Sequence, residues 1–180
     1  TDDFLRLVRP QEKRTAEFDV AASLSETPDM LTISAELREN HEIRREIVPP
    51  SFMMVGDGDQ IRQVIWNLAR NAVQAMPNGG VLTVRTELDS SSYRIIISDS
   101  GRGMSSGDLQ GLFQPFRTNF PSGTGLGMAI SYRIVQEHGG RIEVHSMVGV
   151  GTRITVWLPA KAYPERSVEA ATKAPETQPA

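Results

Sequence analysis

Gln60 to Met76 reads QIRQVIWNLARNAVQAM, and the rest of the chain falls into place around it. Ile61, Val64, Ile65, Leu68, Ala72, Val73 and Met76 recur at helical spacing, which predicts a helix from Gly58 to Met76 with one apolar face. Pro77-Asn78-Gly79-Gly80 stops it. Asn67 and Asn71 lie one turn apart on the other side. Asparagine is mildly unfavourable inside a helix, so two on one face invite a chemical reason. An amide oxygen suits Mg²⁺, which takes oxygen ligands and keeps waters beside nucleotide phosphates. Two polar surface positions are the plainer alternative.

Before this helix, residues 14–20 can extend as a strand. Asp19 can cap a helix running through Leu24, Leu31 and Leu37 to about Asn40, with Pro28 in its first turn or at a kink. Ile43 to Val48 reads as a short strand closed by Pro49-Pro50. After the helix come two strands, Val81 to Leu88 and Tyr93 to Ser98, joined by Asp89-Ser90-Ser91-Ser92. Residues 99–127 are rich in Gly, Ser and Pro, with a short helix around Ser106 to Leu112. A further helix, Thr124 to His138, ends at Gly139-Gly140. Arg141 to Ser146 and Arg153 to Leu158 form a last hairpin. Helices alternate with strands, yet several strand pairs are hairpins. The expectation is an α/β fold with a mixed sheet and helices on one face.

The 180 residues support one domain of ordinary size. With 39% hydrophobic and 23% charged residues the chain is neither disordered throughout nor a membrane protein, and no stretch approaches the ~20 apolar residues of a span. The absence of cysteine excludes disulfides, thiolate metal sites and a cysteine nucleophile. A net charge of -3 argues against a nucleic-acid module. Phe4 to Pro10 resembles the end of a longer helix, and the composition after Pro159 reads as a disordered tail.

Where the fifteen glycines sit is more informative. Asp99-Ser100-Gly101-Arg102-Gly103-Met104 follows an apolar strand. A carboxylate there can accept from a ligand amino group while glycine backbone approaches closely, although an ordinary turn is an even alternative. Gly123-Thr124-Gly125-Leu126-Gly127 opens a helix, where outward N–H groups and the dipole favour an anion. It lacks the Gly-Lys-Ser/Thr of a Walker loop, and a flexible linker is the competing reading. Gly149-Val150-Gly151-Thr152 taken alone is a hairpin turn.

Taken in order, the asparagine helix, DSGRGM, LFQPFRT (with Phe113 and Phe116), GTGLGMAI and HGGRIEVHSMVGVGT resemble the N, G1, F, G2 and G3 boxes of the GHKL ATP-binding fold. The chain is most similar to the catalytic domain of bacterial sensor histidine kinases, especially the nitrogen-regulation type, over about residues 14–159. The resemblance implies a two-layer α/β sandwich, a mixed sheet packed on helices, with ATP beneath a mobile lid. It implies that Asp99 accepts the adenine amino group, and that Asn71, with Asn67 as a second candidate, holds Mg²⁺ against the phosphates. Gly101, Gly103 and Met104 would border the nucleotide, and Gly123, Thr124, Gly125, Leu126 and Gly127 would open the helix end to its phosphates. Thr152 would support the adenine, and Phe113 and Phe116 would anchor the lid, with core packing as their rival role. Arg117 is the candidate for touching the γ-phosphate, a surface arginine being the other reading.

The same fold serves gyrase, mismatch-repair and chaperone ATPases, so fold alone does not name the reaction. Those hydrolases resemble one another in a glutamate one turn before the metal-binding asparagine. Here Asn67 stands in that place, which disfavours hydrolysis and favours phosphoryl transfer to an external acceptor. Three departures matter: the lid offers Arg117 but no lysine, Gln74 stands where many relatives have a base, and the stretch from Phe116 to Gly123 is short. His41-Glu42-Ile43-Arg44 resembles a phosphoacceptor box but lies inside the nucleotide domain, and neither His138 nor His145 has metal-ligand spacing. The expected division is therefore 1–13 as the end of a dimerisation helix, 14–159 as the ATP-binding domain and 160–180 as a tail. The expected partners are a histidine-bearing dimerisation domain of the same protein and, downstream, a response regulator receiver. A cytoplasmic fragment that binds Mg-ATP as a monomer, with little autokinase activity alone and no contact of its own with nucleic acid or membrane, completes the expectation, a membrane anchor elsewhere in the full-length protein being left open. A nucleotide sensor without transfer and an anti-sigma-type serine kinase are the rivals.

Overall fold

The computed structural model describes residues 15–33, 37, 39–116 and 125–160. In chain order the elements are β1 (Ala16–Asp19), α1 (Val20–Ile33), β2 (His41–Glu46), β3 (Met53–Gly56), α2 (Gly58–Gln74), β4 (Gly80–Leu88), β5 (Ser92–Asp99), α3 (Ser106–Gly111), α4 (Gly127–Glu137), β6 (Arg141–Met147) and β7 (Gly151–Pro159). Five strands form one sheet in the order β2-β4-β5-β7-β6, parallel between β2 and β4 and antiparallel elsewhere. β1 and β3 form a separate antiparallel pair.

Period-two alternation puts Leu82 and Val84 of β4, Tyr93, Ile95 and Ile97 of β5, and Ile154, Val156 and Leu158 of β7 into the core. The opposing surface is the apolar face of α2: Ile61, Val64, Ile65, Leu68, Ala69, Ala72 and Val73 are all buried. Ile130, Ile134 and Val135 of α4 complete the layer. The result is the expected sandwich, with helices on one side of a mixed sheet.

Asp57 caps α2, its Oδ1 accepting from Gln60 N at 3.1 Å. Asp57→Ala should cost about 1 kcal/mol of stability, the usual worth of an N-cap, and denaturant titration measures it. Asp57 also ties α2 to α4. Its backbone N–H donates to His138 Nε2 at 3.1 Å, while His138 Nδ1 donates to Ile134 O at 2.8 Å. At the other end of α4, Asn67 Nδ2 donates to Gly127 O and Ser131 Oγ, each at 3.3 Å. The two helices are thus bonded at both ends of α4.

Asp19 caps α1 as expected, accepting from Ala21 N at 2.9 Å. It also accepts from Phe52 N at 3.0 Å and Ser51 Oγ at 2.7 Å, which fastens the entry to β3. Burial opposes its charge, but the hydrogen bonds from Phe52, Ser51, Ala22 and Ala21 outweigh it and hold the carboxyl below its ordinary value. Phe52 then stacks on Tyr93, with ring centroids 4.1 Å apart.

Several elements differ from the sequence reading. β3 is an added strand. Leu37 and Asn40 lie outside α1, because Asn40 binds the turn after α2 instead: its Nδ2 donates to Asn78 O at 2.7 Å and its carbonyl accepts from Gly80 N. α4 begins at Gly127, and β2 begins at His41. The expected helical end at 1–13 and the expected tail at 161–180 fall outside the described residues.

Candidate functional site

The inward stripe of β5 runs Tyr93, Ile95, Ile97 and then Asp99, so the alternation that builds the core delivers a carboxylate at its end. Asp99 pairs with Leu82 on one side and Thr152 on the other. Its Oδ1 accepts from Gly101 N at 2.9 Å. Burial pushes the Asp99 carboxyl above its ordinary value, and the backbone N–H groups of Gly101 and Thr152 only partly offset this. A partly buried carboxylate that needs further donors is poised for a ligand that supplies one.

Asp99 lines a cavity of about 540 Å³ between α2, α4 and the sheet, within the usual range for a small-molecule site. Asn67, Asn71, Gly103, Met104, Phe116, Gly125, Gly127 and Thr152 line it too. Gly101 and Leu126 adjoin it through Asp99 and through the start of α4. Gly103 lies at φ 66°, and a Cβ there would overlap the Met147 carbonyl, so glycine is required for the loop to pack against the β6–β7 turn. Arg117, Gly123 and Thr124 lie outside the described residues. Phe116 N donates to Gly125 O at 3.0 Å, which brings together the two ends of the segment read as a lid.

The Thr152 hydroxyl has a defined polarity. Ser146 Oγ accepts from Met104 N at 2.8 Å and donates to Gly151 O at 3.0 Å. Thr152 Oγ1, 2.9 Å from Ser146 Oγ, must therefore supply the proton between them and keeps its lone pairs. Thr152 and Asp99 together form an acceptor-rich end of the cavity. Ser146 was not legible as a site residue, since a serine on an edge strand carries no signal beyond its alternation.

At the other end stand Asn71 and Asn67 on α2 and the first turn of α4. Asn67 is committed through its amide nitrogen to Gly127 and Ser131, whereas the Asn71 side chain has no hydrogen-bond partner among the described residues. No group of three His, Asp or Glu side chains among the described residues could hold a metal ion. A cation here would rest on amide oxygens and the ligand's own phosphates, a donor set that suits Mg²⁺. The two phenylalanines divide. Phe113 packs on Tyr132 with ring centroids 5.0 Å apart, while Phe116 is 62% exposed. Phe113 thus takes the core-packing role. His41 begins β2 and its Nε2 donates to Met76 O at 2.9 Å, so that nitrogen is occupied and poorly suited to accept a phosphoryl group.

Comparison with known proteins agrees with this geometry. Residues 56–162 match the family described as histidine kinase-, DNA gyrase B-, and HSP90-like ATPase. The sensor histidine kinase ZraS of Escherichia coli O157:H7 is 33% identical over 87% of this chain and 34% of its own length. Sporulation kinase E of Bacillus subtilis is 34% identical over 91% of this chain and 22% of its own. The chain therefore spans only about a third of one curated relative and under a quarter of the other, and neither name carries the narrower nitrogen-regulation likeness. Among solved structures, the mycobacterial sensor histidine kinase MprB superposes with a TM-score of 0.71 at 25% identity, covering 81% of this chain and 97% of its own. Full-length ShkA in complex with AMPPNP gives 0.72 at 27% identity, covering 89% of this chain and 34% of its own. The chain belongs to the histidine kinase-, DNA gyrase B- and HSP90-like ATPase family, and within it is an ATP-binding catalytic domain of the sensor histidine kinase kind.

Proposed function

We propose that this domain binds Mg-ATP in the cavity and transfers the γ-phosphoryl group to a histidine on a dimerisation domain of the same protein. The observation that carries the reading is the partly buried Asp99 carboxylate at one end of a cavity whose other end is the asparagine face of α2 and the start of α4. Asp99 would accept from the adenine amino group and Thr152 would present a second acceptor. Gly101, Gly103 and Met104 would border the base. Asn71, and Asn67 beside it, would offer amide oxygens to Mg²⁺, which when bound supplies charge neutralisation to the phosphates. Gly125, Leu126 and Gly127 would set the helix end beneath them, with Gly123, Thr124 and Arg117 reaching the phosphates from the adjoining segment. Phe116 would cover the mouth.

An amide cannot take a proton from water, and the Asn67 nitrogen is tied to α4, so no general base stands where a hydrolase needs one. Transfer needs positioning and charge neutralisation instead: the γ-phosphorus leaves the ADP oxygen and bonds an acceptor nitrogen. Use of ATP favours a cytoplasmic position, with a response regulator receiver as the next phosphoryl acceptor. Among the described residues no helix is long and apolar enough to cross a membrane.

The test is to incubate the chain with its dimerisation bundle and γ-labelled ATP. Acid-labile, base-stable label on the bundle histidine is the expected result, with little label on the chain alone. Acid-stable label on a hydroxyl would favour a serine kinase. ATP binding without any transfer would favour a nucleotide sensor.

A further inference from the structure

Asn67, Arg70, Asn71 and Gln74 occupy one face of α2, at spacings of three and four residues, and all four line the cavity. Gln74 is uncharged. Among the described residues the charged side chains lining the cavity are Arg70, Arg102, Asp99 and Asp108, two of each sign. Asp108 is engaged in the cap of α3, its Oδ2 accepting from Ser105 N at 3.1 Å and Ser105 Oγ at 2.7 Å. Arg102 belongs to the Asp99 end: its backbone N–H donates to Ala75 O, and its carbonyl accepts from Gly149 N. Arg70 stands at the opposite end. It adjoins Asn71, and it lies one turn from Asn67, whose amide meets the first residue of α4.

A triphosphate brings three to four negative charges, of which one Mg²⁺ offsets two, and a cavity whose own lining charges balance gains from a fixed cation at its phosphate end. We propose that Arg70 is that cation: a phosphate-contacting residue on α2 that supplies the positive charge Gln74 lacks. This rests on the reading of the cavity as an ATP site and adds a residue of α2 to those that meet the phosphates. A guanidinium can donate to two phosphate oxygens at once, which gives Arg70 directional as well as charge complementarity to a phosphate.

Titrating the purified chain with ATP, ADP and adenosine, in wild type, Arg70→Met and Arg70→Lys, tests this. Arg70→Met should weaken ATP and ADP by on the order of tenfold, the worth of one charge-assisted hydrogen bond, and leave adenosine unchanged. Arg70→Lys, which keeps the charge and the helix propensity but not the two-pronged donor, should recover part of that loss for ATP. Unchanged ATP affinity in Arg70→Met, or an equal loss for adenosine and ATP, would overturn the role of Arg70 while leaving the nucleotide site intact. A wild-type chain that binds none of the three would instead overturn the ATP reading, and this inference with it.

Discussion

Asp99→Ala should weaken ATP binding by roughly 1.5–3 kcal/mol, the usual worth of a hydrogen bond to a charged group. Calorimetric titration of wild type and variant measures the difference, and equal affinities in a folded variant would remove Asp99 from the site. The loss has a pH signature. Burial raises the Asp99 carboxyl above its ordinary value, so the charged acceptor is lost earlier on acidification than for an exposed aspartate. The affinity gap between wild type and Asp99→Ala should therefore narrow on acidification. In the unliganded chain the sign is opposite. A raised acid favours the folded state below its unfolded pKa, and that contribution is lost as pH rises through the folded value. At neutral pH ionised Asp99 is thus a cost to the empty protein, relieved when a ligand donor arrives.

Gly151→Ala should destabilise the fold by roughly 2–5 kcal/mol, combining backbone strain with overpacking. Gly151 lies at φ 133°, and a Cβ there would overlap the carbonyl oxygen of Asp99 on the neighbouring strand. Neither atom belongs to a flexible side chain, so β5 and β7 would have to separate where Asp99 faces Thr152. The damage should also reach the site. A lowered melting temperature together with weakened ATP binding is the expected pair of observations, and a variant with wild-type stability would show that the strands can yield there.

Much of this was legible because it rests on local rules. α2 announced itself through seven apolar positions at helical spacing, and its observed span, Gly58–Gln74, stops two residues before the expected Met76. Asp99 was legible only because glycines follow it, since a carboxylate at the end of an apolar strand is otherwise an ordinary turn residue. β3 escaped notice because Met53–Gly56 is too short to show an alternation and follows two prolines. What makes it a strand is distant: Asp19 grips Phe52, and β1 pairs with it. Strand order was equally hidden, because the parallel pairing of β2 with β4 closes a loop that contains all of α2. Arg70 was passed over since an arginine on an amphipathic helix looks like a solvated surface. Its three-residue spacing from Asn67 was the available signal.

The double attachment of α4 to α2 has a consequence for turnover. A helix of 11 residues cannot hold itself in water, so its position is borrowed from α2, through Asp57 and His138 at one end and Asn67 at the Gly127 end. That end is preorganised before any nucleotide arrives, and little ordering entropy is lost there on binding. If it meets the phosphates as proposed, a fixed end would hold those that ADP shares with ATP no less firmly than ATP itself. Binding of that uniform kind secures occupancy without lowering the barrier, and leaves the product free to compete with the substrate. Selectivity for the transition state would then come from groups that meet only the γ-phosphoryl, the approaching acceptor among them.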